Sequence, residues 1–252
     1  MVSGTTHANR PGMRLSSWTV GIGVAVAALA VASSARAEEG QGEHRFGNPG
    51  FIVSADRLLP LLSYESIKTG DSGSQDTQSR LSIALMNNAP FEAYSSFYNL
   101  PRVGFDWLPI QNLTLGGATW LYMDLQATDT PSGGSSKDQP KLTYWGIAPR
   151  VGYIVPMGDK ASFWPRAGVE YHSVTSSDGS VAVNQFAVEV EAMLVISPWN
   201  HFGFTVGPTA DIPISGKRTI AVPGTGGAAA TSTSVDSAML QVGLSAGMLG
   251  HF

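Results

Sequence analysis

Between Arg102 and Trp107 the chain alternates: Val103, Phe105 and Trp107 fall on one side of an extended backbone, Arg102, Gly104 and Asp106 on the other. Period-two sorting of this kind is what a β-strand imposes, because successive side chains point to opposite faces. The pattern recurs down the chain. Leu113, Leu115, Gly117, Thr119, Leu121, Met123 and Leu125 oppose Thr114, Gly116, Ala118, Trp120, Tyr122 and Asp124. Further on, Trp145, Ile147, Pro149, Val151, Tyr153 and Val155 oppose Tyr144, Gly146, Ala148, Arg150 and Gly152. The segments after Ala161, Gln185 and Phe202 divide in the same way, with Arg166, Glu170, His172, Glu189, Glu191 and Asp211 confined to one face. The other face of these strands carries no charge.

A soluble β-sandwich also alternates, but its polar face is rich in Lys and Glu and points to water. Here all five lysines (Lys68, Lys137, Lys141, Lys160 and Lys217) fall in connections or at a strand edge. The polar face instead combines glycine with arginine and acid, which suits a narrow lumen. Charge on a lipid-facing mid-strand position costs about 2–4 kcal/mol, which accounts for its absence from the apolar face. The pattern predicts an all-β protein, an eight-stranded antiparallel up-and-down transmembrane β-barrel. Its strands are expected at about 51–67, 98–108, 112–126, 141–156, 161–174, 184–196, 201–215 and 237–252.

The connections agree with that reading. Residues 109–111, 157–160 and 197–200 are tight turns, whereas 68–97, 127–140, 175–183 and 216–236 are long, polar and rich in Gly, Ser, Thr, Asp or Pro. Short and long alternate, as periplasmic turns and extracellular loops do in outer-membrane barrels. The first strand fits least well, since adjacent Asp56 and Arg57 put one charge outward unless a bulge intervenes, and Pro60 removes a ladder donor. Residues 80–86 are a candidate extra strand, either extending a hairpin above the membrane or raising the count.

Arg10 and Arg14 precede an apolar run from Trp18 to Ala32 and the small-residue site Ala35-Arg36-Ala37. This order predicts a cleaved export signal over 1–37, followed by a barrel domain over 38–252 whose residues 38–50 form a short periplasmic segment. The exported part would hold all 19 acidic residues but only 12 of the 15 basic ones, a balance that argues against nucleic-acid binding. There is no cysteine, so disulfides and thiol chemistry are excluded.

Counting back from the C-terminus, Phe252, Gly250, Met248, Ala246, Leu244, Val242 and Leu240 occupy alternate apolar positions. This resembles the C-terminal signature of bacterial outer-membrane β-barrel proteins, whose terminal aromatic residue is read by the barrel-assembly machinery. Together with the strands it extends the resemblance over nearly all of 50–252, to small outer-membrane β-barrel domains such as the outer-membrane protein A transmembrane domain, within the wider porin-like group. The resemblance implies Phe252 as an assembly signal. It also implies outer-membrane lipid, the barrel-assembly machinery and periplasmic chaperones as partners, and a monomeric barrel.

Trp107, Tyr153, Phe163, Trp199 and Phe202, with Phe252, share one height near the turns and form a candidate periplasmic aromatic girdle; Trp145, Tyr171 and Phe186 are candidates for its upper counterpart. Arg102, Asp106, Arg150, Arg166, Glu170, Glu189, Glu191 and Asp211 are expected inside, as an ionic network that fills the lumen. Arg150 and Arg166 would be hairpin neighbours needing Glu189 or Glu191 alongside, since an unpaired buried charge is strongly unfavourable. His172, Asp124 and Ser173 near the outer rim match no catalytic spacing, and no metal-ligand spacing, cofactor motif or phosphate loop is present. The expected role is non-enzymatic, through envelope structure or surface contacts of the loops. The alternative is a narrow channel or transporter for small or hydrophobic molecules.

Overall fold

The computed structural model describes residues 46–70, 76–83, 100–125, 128–129, 137–222 and 231–252. The export signal expected over 1–37 lies outside them. Twelve strands occur among the described residues: β1 (Gly50–Thr69), β2 (Asp76–Ile83), β3 (Arg102–Ile110), β4 (Leu113–Met123), β5 (Thr128–Asp129), β6 (Lys137–Asp138), β7 (Leu142–Tyr153), β8 (Val155–Pro156), β9 (Ala161–Ser176), β10 (Val181–Trp199), β11 (Phe202–Val222) and β12 (Thr231–His251). Eight of them close a ring in the order β1-β3-β4-β7-β9-β10-β11-β12, with β12 returning antiparallel to β1. Every pairing in the ring is antiparallel. Closure matters because it leaves no edge strand with unpaired backbone groups, the condition for placing a sheet in an apolar medium.

Side chains sort as the alternation requires. Along β10, Gln185, Ala187, Glu189, Glu191, Met193 and Val195 are buried, while Phe186, Val190 and Ile196 stand exposed between them. The same holds for Arg102, Gly104 and Asp106 against Phe105 and Trp107 on β3. The outside of the ring is thus the apolar face, the inverse of a water-soluble barrel.

One irregular part of the ring is β1. Asp56 and Arg57 are both buried, at 1% and 2% exposure. Two adjacent residues can point inward only if the strand bulges, and the β1–β12 register slips between Ala55 and Leu59 and again between Pro60 and Leu62. Arg57 carries the bulge in a left-handed conformation, φ 54°. A bulge thus resolves the charge conflict that the sequence poses at this point, and it adds Asp56 and Arg57 to the lumen.

The strands rise further above the ring than alternation predicts. β9 and β10 continue to Ser176 and from Val181, so the connection expected over 175–183 is only a turn. At its tip Asp178 accepts hydrogen bonds from Ser180 N (3.0 Å), Ser176 Oγ (2.7 Å) and Ser180 Oγ (2.7 Å), which lower its carboxyl pKa to about 2. Likewise β11 and β12 extend to Val222 and from Thr231 through what reads as a long loop. β2 pairs with β1 over Leu62↔Ile83 to Thr69↔Asp76 and lengthens that hairpin while the ring count stays at eight. β8 is a short continuation of β7 past Ile154, whose side chain turns inward. At the other end the turns are tight, with Asn112 at φ 69° between β3 and β4.

Candidate functional site: the filled lumen

Inward side chains build three layers. At the end with the tight turns, Ile52, Leu108, Ile154, Trp164, Met193, Val195 and Leu249 pack together with Phe46. Phe46 precedes β1 and turns its ring edge-on to Trp164 and His251, at centroid distances of 5.7 and 5.3 Å. Backbone bonds lock this end: Asn112 N donates to Gly47 O at 2.8 Å, and Ile154 N donates to Asn112 O at 2.7 Å. At the opposite end Leu100, Trp120, Tyr144, Ala148, Val174, Val183 and Met239 form a second apolar layer. Its Trp120 ring lies directly on Gly146, where a Cβ would fall 2.1 Å from a ring carbon.

The middle layer is ionic. Six carboxylates (Asp56, Asp106, Glu170, Glu189, Glu191 and Asp211) and four guanidinium groups (Arg57, Arg102, Arg150 and Arg166) are buried there. The ion pairs fall into two halves. In one, Arg102 reaches Glu189 at 2.7 Å and Glu170 at 3.0 Å, while Arg57 reaches Asp211 at 2.5 Å and Glu189 at 2.9 Å. In the other, Arg150 reaches Asp106 at 2.6 Å and Asp56 at 2.8 Å, while Arg166 reaches Glu191 at 2.5 Å and Asp56 at 3.3 Å. Arg57 Nη2 to Glu191 at 3.2 Å joins the halves. Arg57 therefore contacts acids on β10 and β11 from the bulge of β1 and is the hub of the layer.

All eight residues assigned to the lumen by alternation are buried in this layer. Glu191 lies alongside both Arg166 (2.5 Å) and Arg150 (3.8 Å), and Asp56 is a second carboxylate that the two arginines share. Asp56 and Arg57 are the residues that alternation alone misassigns. Parity marks the second irregularity of β1 and not the first: Phe51 and Leu59 are exposed before the slip between Pro60 and Leu62, and Leu62, Tyr64 and Lys68 after it. A switch from odd to even positions requires an extra residue between them.

Aromatic rings close the ionic layer on both sides. The Arg166 guanidinium lies 4.3 Å and that of Arg150 5.9 Å from the Trp164 ring below, and Arg102 lies 4.1 Å from the Trp120 ring above. Cation–π contacts of this kind strengthen when desolvated. Trp164 Nε1 also donates to Thr114 Oγ1 at 3.1 Å, so its polar edge is satisfied.

Glu170, Glu189 and Asp211 bring one oxygen each to within 4.8 Å of one another, a grouping invisible in linear spacing. Arg57 and Arg102 already supply positive charge to these three carboxylates. Nor do the rim residues assemble a catalytic set: His172 Nδ1 lies 3.3 Å from Glu170 Oε1, whereas Asp124 accepts from Tyr122 Oη at 2.6 Å and Leu142 N at 3.1 Å.

Outside, Phe51 stacks on Phe105 and on Phe252 near the tight turns, and Trp199 packs on Phe202 and Phe204. Trp107, Tyr153 and Phe163 stand exposed at this end. The terminal Phe252 exchanges backbone hydrogen bonds with Phe51, at 2.9 and 3.0 Å. Higher on the wall Trp145, Tyr171 and Phe186 form a contiguous ring cluster.

No family model matches the sequence, and no curated protein matches it. Among solved structures the chain is similar to the outer membrane protein OprG from Pseudomonas aeruginosa, with 12% identity over 84% of this chain and 99% of that one and a TM-score of 0.49. It is also similar to Ail, the attachment invasion locus protein of Yersinia pestis (9% identity, 80% and 99% covered, TM-score 0.32). A third is the outer membrane protease OmpT from Escherichia coli (9% identity, 84% and 99% covered, TM-score 0.34).

Proposed function

We propose that this chain, whose fold is that of a small outer-membrane β-barrel, is a structural or surface-interaction protein of the outer membrane with a closed lumen. The observation that carries the reading is the three-layer filling: an apolar floor, an ionic middle and an aromatic roof, each built from inward side chains of several strands. An eight-stranded ring encloses little more than its own side chains. Here those side chains include Trp164, Arg102 and Met193, among the largest fully buried groups of the molecule.

With the lumen filled, what remains for contact with other molecules is the polar crown. The upper part of β12 presents Thr231, Ser232, Thr233 and Ser234, and β2 is exposed along nearly its whole length. Serine and threonine on paired strands give a stiff hydrogen-bonding surface, suited to adhesion or to packing against envelope components.

Two experiments test the reading. In planar bilayers the wild-type protein is expected to give no persistent openings; well-defined openings that Arg150→Ala abolishes would overturn the closed lumen. Membrane residence is tested at Val190, which is outward and mid-strand on β10. Val190→Arg is expected to lower the folding free energy in lipid vesicles by about 2–4 kcal/mol, and Ala182→Arg, on the same face of β10 but close to its crown end, by less than about 1 kcal/mol. Equal small effects at both positions would remove the membrane assignment.

A further inference from the structure

The outer wall is dented where β11 meets its neighbours near the crown. Against β10 the register of β11 slips between Phe186 and Ala187, and against β12 pairing is interrupted between Asp211 and Lys217. Pro213 lies inside this stretch and has no N–H to donate. The backbone of β12 that loses its partner is satisfied from elsewhere. Gln185 Nε2 donates to Met239 O at 2.9 Å, and Met239 N donates to Gln185 Oε1 at 2.9 Å. A side-chain amide from β10 thus replaces the missing strand contact, so the splayed seam is a finished structure and the groove outside it is a fixed feature of the wall.

That groove has a volume of about 520 Å³. It straddles the level at which the apolar band of the wall ends. Below are Phe186 and Ile214; above are Asn184 and Lys217, and Lys68 stands beside Ala238 across the β1–β12 pair. The cross-strand pairs Lys68↔Ala238, Lys217↔Asn184 and Lys217↔Asp236 put these groups on one outward patch. From strand spacing and rise, the two lysine backbones are roughly 12 Å apart across β12, near enough for two flexible four-carbon stems to meet on one anion. Asp236 is the opposing charge at the rim, yet among the described residues no carboxylate lies within 4 Å of either ammonium group.

We infer that this groove binds one phosphate-bearing anionic lipid of the surrounding leaflet. The phosphate sits between Lys68 and Lys217 with the Asn184 amide beside it, and an acyl chain lies down the dent along Phe186 and Ile214. Charge complementarity places the headgroup and the apolar floor places the chain, which together select an amphiphile over a free anion. The inference rests on the membrane reading of the barrel, whose own test is the Val190→Arg comparison; loss of lipid selectivity with that comparison intact would sink the groove alone.

The test is titration of the detergent-solubilised, folded protein with short-chain phosphatidylglycerol, phosphatidylcholine or inorganic phosphate, read by native mass spectrometry and by the melting temperature. Phosphatidylglycerol is expected to be retained and protective, and Lys68→Gln with Lys217→Gln to weaken its binding about 30-fold. Ile214→Trp, which fills the dent while keeping both lysines, is expected to displace the lipid as well. Equal retention of phosphatidylcholine, protection by inorganic phosphate alone, or unaltered binding in both variants would overturn the assignment. Heat-modifiable gel mobility confirms that each variant is folded before it is titrated.

Discussion

Replacing Arg57 by Met is expected to lower the unfolding free energy of the barrel by about 3–5 kcal/mol, the cost of leaving buried charges without their partner. Three carboxylates lose a cation at once, since Arg57 contacts Glu189, Glu191 and Asp211. The opposite deletion is expected to be milder. The layer holds six carboxylates against four guanidinium groups. Glu189→Gln moves that balance toward neutrality, whereas Arg57→Met moves it further away. Arg57→Gly separates the electrostatic loss from backbone strain, because φ 54° is left-handed and glycine adopts it without penalty. Its loss should be smaller than that of Arg57→Met by about 1–2 kcal/mol. Urea titration in lipid vesicles measures all three variants. An Arg57→Met barrel as stable as the wild type, or one more stable than Glu189→Gln, would show that Arg57 is not the hub.

The bulge that sets up this experiment also marks where the sequence stops being self-explanatory. On the regular strands, alternation alone placed Arg102, Arg150, Arg166 and their acids inside, because a closed ring in an apolar medium leaves charge nowhere else to go. On β1 the same rule fails for one residue in two, since a bulge adds a residue whose cost and benefit are both tertiary. Asp56 is useful only because Arg150 and Arg166 wait across the lumen, and nothing near it in the chain says so. Inward Trp120 and Trp164 were legible as positions, but their work as floor and roof depends on layers contributed by distant strands.

The crown was misjudged for a different reason. Residues 217–221 and 231–236 are strand, but both faces there are solvated, so no apolar row distinguishes inside from outside. Ser and Thr runs then resemble a loop. The groove at β11 was equally hidden, because the Gln185 amide that compensates for the interrupted ladder lies on another strand.

The layered filling makes a second large prediction, in which stability and permeability separate. Trp164→Ala removes a fully buried ring and is expected to cost about 3–5 kcal/mol. It leaves Thr114 Oγ1 without its indole donor and strips the ring from beneath Arg166. Even so, it is expected to stay electrically silent, because the roof of Trp120, Tyr144 and Leu100 is untouched. Trp120→Ala alone should be silent for the converse reason, with the floor intact. The double variant opens both ends onto the ionic layer, where carboxylates outnumber guanidinium groups. Ions entering there meet a negative constriction, so its openings should be cation-selective, with a reversal potential in a salt gradient lying toward that of the cation. Conducting single variants would mean that the lumen has one seal and not two. Anion selectivity in the double variant would mean that the arginines, and not the acids, face the path.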